Sequence, residues 1–358
     1  MKIAFLIQDV TTAGGTERTT CCLANEMARQ GNEVSIVSVF HEAEVPCYAL
    51  DERIRLVFIS DEHYGLDLSM FARVTLISKQ VKAVKSSSEL READVVISQK
   101  ILASVLARVA KLAPKTFACE HYKYGMYNAA VRFVRNRLYR AFRGLVTLTD
   151  NDRRAFLAHG VQRVHVIENM VSICPLPYQG SSSKRILAVG RLDKQKGYDL
   201  LLEAMSKLSW EAFPEWQVDV FGDGPERESL LQQSKSLGLD NRITFHPFVK
   251  TIEEEYARHA FLVMSSRFEG FPMVLLEAAA SGLPIVSFDC KEGPRALLQN
   301  GGGLLVKAED TRALADAMRL MMTDDRLRDR CARETKQVVA DYTPDAIYRK
   351  WIKLFNNN

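Results

Sequence analysis

Two doubly wound α/β domains in series are predicted from three features of the chain. Short β-branched runs alternate with longer stretches of helical period, that alternation breaks near the middle, and the length of 358 residues is about twice what one core usually holds. Hydrophobic residues at 47% and charged residues at 26% exclude a disordered chain. Lys and Arg number 48 against 44 acids, and a net charge of +4 falls far short of the excess that a nucleic-acid-binding domain carries.

The N-terminal run MKIAFLIQDV meets Gln8 and Asp9 before a signal-peptide core of useful length forms, so it is expected to be a buried first strand. Further strands are predicted at 33–40, 94–98, 116–119, 146–148 and 164–167, with helices between most of them. The segment ENMVSICPLPYQGSSSK contains two prolines, a glycine and three adjacent serines, which sustain neither period. A linker is therefore expected at 171–184, dividing a first domain of 1–170 from a second of 185–343. The pattern restarts with strands at 185–189, 217–221, 242–246, 261–264, 285–288 and 303–306. A last helical segment within 344–358 is expected to pack back on the first domain. Two such sheets in series place a crevice at their strand carboxyl ends, where ligands of this architecture bind.

Seven cysteines, an odd number without CxxC spacing, read as reduced thiols rather than a zinc or redox motif. No stretch approaches the about 18 to 20 apolar residues of a spanning helix. A cytoplasmic protein is expected.

The densest chemical signal is RFEGFPMVLLEAAASG, Arg267 to Gly282, a loop followed by a helix. Pro272 suits a first helical position because its missing N–H would be unsatisfied there anyway. The N–H groups of Met273, Val274 and Leu275 then point out of the helix start and form an anion site. Glu269 and Glu277 bracket that point, and carboxylates accept hydrogen bonds from hydroxyls. An anion flanked by two acids suits a phosphate attached to sugars.

With seven residues between Glu269 and Glu277, this stretch resembles the paired-glutamate motif of the retaining glycosyltransferases of the GT-B fold, glycosyltransferase family 4. AVGRLDKQKG, Ala188 to Gly197, resembles the family's Gly-Arg-Leu…Lys-Gly segment. Arg191 and Lys196 at a strand end can converge on a diphosphate, the first as a fork and the second as a point charge. Gly222 and Gly224 in VFGDGPERESL lie between strand and helix as in the family. AGGTER places Gly14, Gly15 and Thr16 after the first strand, where glycines permit positive φ and close approach of a ligand. ACEHYKYG supplies Glu120 and His121, similar to the family's Glu-His.

The resemblance implies two Rossmann-like domains facing a central cleft and a retaining transfer from a nucleotide sugar, UDP foremost. Arg191, Lys196, Gly15, Gly222, Phe271, Pro272, Met273 and Val274 would serve the donor, and Glu277 the ribose hydroxyls. Glu269 would hold the sugar hydroxyls and His121 would contact the transferred sugar, with Gly14, Thr16 and Glu120 on the acceptor side. The acceptor would be a lipid-linked bacterial surface glycan, and no cofactor or metal is expected. Two departures stand out. Asp150-Asn151-Asp152 has the Asp-x-Asp form of metal-dependent transferases but follows a strand and reads as a helix cap. ENMVS, Glu168 to Ser172, stands where the family commonly has Pro-Asn-Gly.

AAVRFVRNRLYRAFRGL, Ala129 to Leu145, puts Val131, Val134, Leu138, Ala141, Phe142 and Leu145 on one helical stripe. Arg132, Arg135, Arg140 and Arg143 lie opposite, with Phe133 and Tyr139 in or beside the basic arc. Such a face suits an anionic membrane, and a peripheral position on the cytoplasmic face of the inner membrane is expected. A noncatalytic nucleotide-sugar-binding protein is the rival reading. An NAD-dependent dehydrogenase is the other, though G-x-G-x-x-G is missing after the first strand.

Overall fold

The computed structural model describes residues 1–60, 70–249, 251–290 and 293–357. It divides into two units, Met1–Ser172 with Tyr342–Asn358, and Ile173–Asp341.

The first unit runs β1 (Lys2–Asp9), α1 (Gly15–Arg29), β2 (Glu33–Phe40), β3 (Arg55–Phe58), α2 (Met70–Ser86), α3 (Ser88–Glu92), β4 (Val95–Gln99), α4 (Lys100–Val109), β5 (Thr116–Glu120), α5 (Ala129–Tyr139), β6 (Gly144–Thr147), α6 (Asp150–Ala158) and β7 (Val164–Val166). The second runs β8 (Arg185–Val189), α7 (Tyr198–Ser206), β9 (Gln217–Phe221), α8 (Arg227–Ser236), β10 (Ile243–His246), α9 (Glu253–Arg258), β11 (Phe261–Met264), α10 (Met273–Ala280), β12 (Ile285–Asp289), α11 (Pro294–Leu298), β13 (Gly303–Lys307), α12 (Thr311–Thr323) and α13 (Asp325–Val338). The chain then returns to the first unit with α14 (Pro344–Asn356).

Among the described residues the first sheet has seven parallel strands in the order β3-β2-β1-β4-β5-β6-β7. The second has six in the order β10-β9-β8-β11-β12-β13. Each sheet is covered on both faces, which is why its strands read as near-continuous apolar runs. On β1, Ile3, Phe5 and Ile7 enter a core with Met27, Trp351 and Phe355. Ala4 and Leu6 enter the opposite core, with Leu106, Phe142 and Phe156. In the second unit Ile186, Trp216, Phe261, Phe288 and Met318 belong to one large core. The strand order reverses direction between β1 and β4 in the first sheet and between β8 and β11 in the second. Each reversal is the point at which a sheet of this kind opens a crevice at its own strand carboxyl ends.

The predicted strands all form, with shifts at their ends, and one was not predicted. β3 pairs Arg55 with Ser35 and Phe58 with Ser38 along the outer edge of β2. Its alternation is short and sits among charged residues, so a period-2 count over four residues is weak. β6 starts at Gly144, two residues before the expected position. A Cβ there would lie 2.9 Å from the Phe117 ring, so this glycine serves strand packing rather than a turn.

The expected linker also behaves differently. The units separate after Ser172, and the following residues belong to the second unit. Tyr178 donates its hydroxyl to the Ala260 carbonyl at 2.8 Å and the Gln179 amide donates to the Ala257 carbonyl at 2.8 Å. Backbone and hydroxyl bonds of this kind leave no trace in composition. α14 lays Ile347, Trp351, Leu354 and Phe355 into the first unit's core, and residue 358 lies outside the described residues. No helix of the described residues is long and apolar enough to cross a membrane.

Candidate functional site

In the second unit, the predicted donor residues gather where β8 and β11 end. Gly197 adopts φ +64, and a Cβ on it would lie 2.2 Å from the Ser265 carbonyl oxygen, so only glycine lets these two loops touch. The contact is stitched by Ser265 Oγ donating to the Lys196 carbonyl at 3.1 Å and by the Arg267 amide donating to the Gln195 carbonyl at 2.8 Å. Arg267 grips Asp199 through two bonds of 2.7 and 2.6 Å. A bidentate pair of this kind fixes orientation as well as distance.

That scaffold brings Lys196 and Glu269 together. Lys196 Nζ donates to Glu269 Oε1 at 2.8 Å, and Ser266 Oγ donates to the same oxygen at 2.7 Å. Glu269 is buried, 5% exposed. Both bonds engage Oε1, so the lone pairs of Oε2 remain for a hydroxyl donor. Arg191 behaves differently from Lys196. Its side chain is 71% exposed, with Nε 4.0 Å from Asp193. The structure therefore shows one cation held at the carboxylate and another standing open.

The helix start departs from expectation by one residue. Pro272 caps α10 rather than occupying its first turn, and the Leu275 amide is taken by the Pro272 carbonyl at 3.1 Å. The Met273 and Val274 amides carry no backbone bond among the described residues, and both residues are half-buried. Two donors, not three, thus face outward at the positive end of the helix. Phe271 is buried. Glu277 is also buried, and its Oε2 accepts the Tyr256 hydroxyl at 2.9 Å. Gly222 sits at φ +149, where a Cβ would stand 2.1 Å from the Gly190 carbonyl. Its visible task is to let the ends of β8 and β9 approach.

In the first unit the loop after β1 and the end of β4 meet at the strand-order reversal. The positive φ expected at Gly14 and Gly15 does not occur. Gly14 is extended, at φ −163, and Gly15 is not among the positive-φ residues. What Gly15 supplies is room, since a Cβ on it would meet nothing among the described residues within 4 Å. Thr16 is buried, with its carbonyl accepting from Thr20 Oγ1 at 2.7 Å. Lys100 holds α1 by a 2.7 Å ion pair to Glu17, and does so at φ +66, a left-handed conformation unusual for a side-chain-bearing residue.

His121 follows β5, half-buried, with Nε2 2.5 Å from Gln99 Oε1. Burial, and then the nearby Lys100 cation, push the His121 pKa down to about 3. Around it lies a small cavity lined in part by Thr19, Leu23, Cys119, Ile347 and Trp351.

Three first-unit expectations are corrected. Glu120 does not face outward: it is buried, and Oε2 accepts from Arg135 at 3.2 Å and from the Tyr139 hydroxyl at 3.0 Å. Burial raises its pKa, against the lowering effect of Arg135 and Tyr139. Arg135 and Tyr139 are accordingly interior residues and cannot touch a membrane. Arg135 also lies over the rings of Phe156, Tyr127 and Tyr124 at 4.8, 5.0 and 5.1 Å. Arg143 is half-buried and donates to the Phe355 carbonyl at 2.7 Å. Conversely Val134, placed on the inward stripe by hydropathy, is 60% exposed beside Phe133 at 69%. The helix is turned because a buried cation facing Glu120 outweighs one valine, and an apolar-period count cannot register that.

The third correction is small. Thr149 caps α6, accepting from the Asp152 amide at 3.2 Å, where Asp150 or Asn151 was expected to do so. Asp150 pairs with Arg153 and Arg154, and Asp152 Oδ1 accepts the Tyr124 amide. Gln99, Lys100, Ser266, Asp199 and Tyr256 went unnoticed in the sequence. For Gln99 and Lys100 a signal existed, since they stand at the junction of β4 and α4, across the sheet reversal from the double glycine.

Comparison with known proteins agrees with this layout. Residues 179–338 match the model of the family described as Glycosyl transferases group 1, and residues 13–173 that of Glycosyltransferase Family 4. The chain is 26% identical over 370 residues to the amylovoran biosynthesis glycosyltransferase AmsD of Erwinia amylovora, covering 99% of each. It is 27% identical over 361 residues to a GalNAc-alpha-(1->4)-GalNAc-alpha-(1->3)-diNAcBac-PP-undecaprenol alpha-1,4-N-acetyl-D-galactosaminyltransferase of Campylobacter jejuni, covering 99% of this chain and 98% of that one. Among solved structures, Anabaena HepE in complex with UDP and glucose superposes with a TM-score of 0.76 at 18% identity over 100% of each chain.

Proposed function

The chain belongs to the glycosyltransferases, to group 1 over residues 179–338 and to family 4 over residues 13–173, and from that membership we propose a retaining transfer from a UDP-sugar to a hydroxyl of a lipid-linked surface glycan. The observation that carries the reading is the Lys196–Glu269–Ser266 cluster beside the open amides of Met273 and Val274. It offers cations and N–H dipoles to a diphosphate and a carboxylate to sugar hydroxyls.

In this scheme Arg191 and Lys196 offset the charge that grows on the departing diphosphate, and the Met273 and Val274 amides add preorganised dipoles. Glu269 accepts from the sugar hydroxyls and Glu277 from the ribose hydroxyls. Gly222, Phe271 and Pro272 shape the ground beneath them. For Gly15 and His121 of the first unit, the family resemblance alone suggests roles toward phosphate and toward the transferred sugar. The departing phosphate oxygen accepts the acceptor's proton on the face where the new bond forms, which retains configuration. The scheme assigns no step to a metal or other cofactor.

Support for UDP comes from HepE, solved with UDP and glucose, and support for a lipid-linked acceptor from the Campylobacter relative's undecaprenol substrate. UDP is expected to raise the melting temperature through mass action, with stabilisation of about 2.7 kcal/mol at a hundredfold excess over Kd. Glu277→Gln, which keeps the side chain's volume, should weaken that shift. A shift with NAD and none with UDP or GDP would sink the reading.

The same protein is proposed to sit on the cytoplasmic face of the inner membrane. Arg132, Phe133, Arg137 and Arg140 support this, lining one hollow at α5 and its C-cap, with Phe133 and the neighbouring Val134 well exposed. Vesicles containing anionic phospholipid should retain the protein, and Phe133→Ser with Arg137→Ser should release it at moderate salt. Equal retention by neutral vesicles would refute an electrostatic contact.

A further inference from the structure

We propose that Gln99 is a positioning residue for His121, accepting a hydrogen bond from Nε2–H so that Nδ1 is the nitrogen left with a lone pair for a substrate. This rests on the reading of His121 as the group that contacts the transferred sugar.

The geometry comes from the sheet. Gln99 is the last residue of β4 and pairs in register with Cys119 of β5, two residues before His121. The carboxamide is 2% exposed, and its Oε1 lies 2.5 Å from Nε2 of the ring. An amide oxygen accepts a hydrogen bond without carrying charge, so it can orient an imidazole without the cation stabilisation that a carboxylate would provide.

The charged groups on the surrounding elements leave that arrangement undisturbed. Lys100, at the start of α4, is bound to Glu17 of α1. Glu168, which lines the same cavity, is bound to Lys350 of α14. The Glu120 carboxylate is engaged by Arg135, and burial pushes the Cys119 thiol far up, so it stays neutral. With burial and Lys100 both opposing protonation, the ring holds one proton across the neutral range. Where a ring holds a single proton, its fixed neighbour decides which nitrogen carries it. Gln99 is that neighbour.

The test uses the full chain labelled with 15N-histidine. His121→Asn identifies the ring among the seven histidines. Two-bond proton–nitrogen correlation spectra should show the Nε2–H form, unchanged between about pH 6 and about pH 8. Gln99→Leu should produce a mixture of tautomers and lower kcat about tenfold, with KM for the sugar nucleotide unchanged, as expected of lost orientation rather than lost binding. Gln99→Glu should keep the Nε2–H form and recover the rate near about pH 8. It should also add an acid limb near neutrality, because the carboxylate stabilises the imidazolium.

An Nδ1–H form in the native protein would overturn the proposal, as would titration of His121 within that window. So would a Gln99→Leu protein with native tautomer and rate. Since the native spectrum is itself decisive, a variant that fails to fold does not protect the idea. The Nε2–H form without transfer from any sugar nucleotide would retire the glycosyl-transfer reading and leave Gln99's role intact. Transfer with the opposite tautomer would do the reverse.

Discussion

Replacing Glu269 by Gln is expected to lower sugar transfer by about 10²- to 10³-fold while moving the melting temperature by only a few degrees. The substitution keeps the volume of a buried side chain and one oxygen able to accept from Lys196 and Ser266. It removes the charge and turns the other end from acceptor to donor, so a sugar hydroxyl loses its partner. Lys196→Met should differ in kind. Glu269 would remain buried without its counter-ion, and both the rate and the stability should fall. Measured kcat/KM and melting curves separate the two outcomes. Near-normal transfer by Glu269→Gln would remove this carboxylate from the site.

Arg135→Leu should destabilise the first unit by about 3 to 5 kcal/mol, the usual result of removing one partner of a buried ion pair. Arg135 has no exposed surface, and it serves both the Glu120 carboxylate and the Tyr124 carbonyl. Stacking on three rings adds to the loss. The pH dependence gives this prediction its sign. Burial already raises the Glu120 pKa above its unfolded value of 4.5, and Arg135 opposes the rise. Without Arg135 the folded pKa climbs further, so the folded variant binds a proton where the unfolded chain does not.

A group raised in this way penalises the folded state above its folded pKa, and the penalty vanishes as pH falls to the unfolded value. The deficit of Arg135→Leu should therefore narrow between about pH 8 and about pH 5. Urea titrations at both ends of that range check it. A deficit that is constant with pH would mean that packing around the guanidinium, rather than the pair, carries the cost. Glu120→Gln combined with Arg135→Leu should be less damaging than Arg135→Leu alone, since no charge is then left buried.

The same pair marks where reading the chain as letters stops working. Period and composition were enough for the two sheets, because strands covered on both faces must be apolar throughout and their helices must alternate with them. β3 was lost because four residues do not make a countable period. On α5 the hydropathy stripe was turned by about one residue. An arginine scores as surface in any such count, and only the arrival of Glu120 at the end of β5 makes its burial favourable.

The paired glutamates, the Lys-Gly segment and the Glu-His dipeptide were legible through their resemblance to the family's motifs, and the class of chemistry came with that resemblance. Those are local properties, written in consecutive residues. What they touch is not local. Lys196 and Glu269 are separated by 73 residues, and they meet because Gly197 lets its loop press against Ser265. Glu277 of α10 meets Tyr256 of α9, 21 residues earlier in the chain, and His121 meets Gln99 through the pairing of β4 with β5. Residue types and periods could therefore establish the architecture and nominate the acids, cations and imidazole. Folding alone decided which were paired, buried or open, because hydrogen bonds and desolvation depend on neighbours that distance along the chain does not reveal.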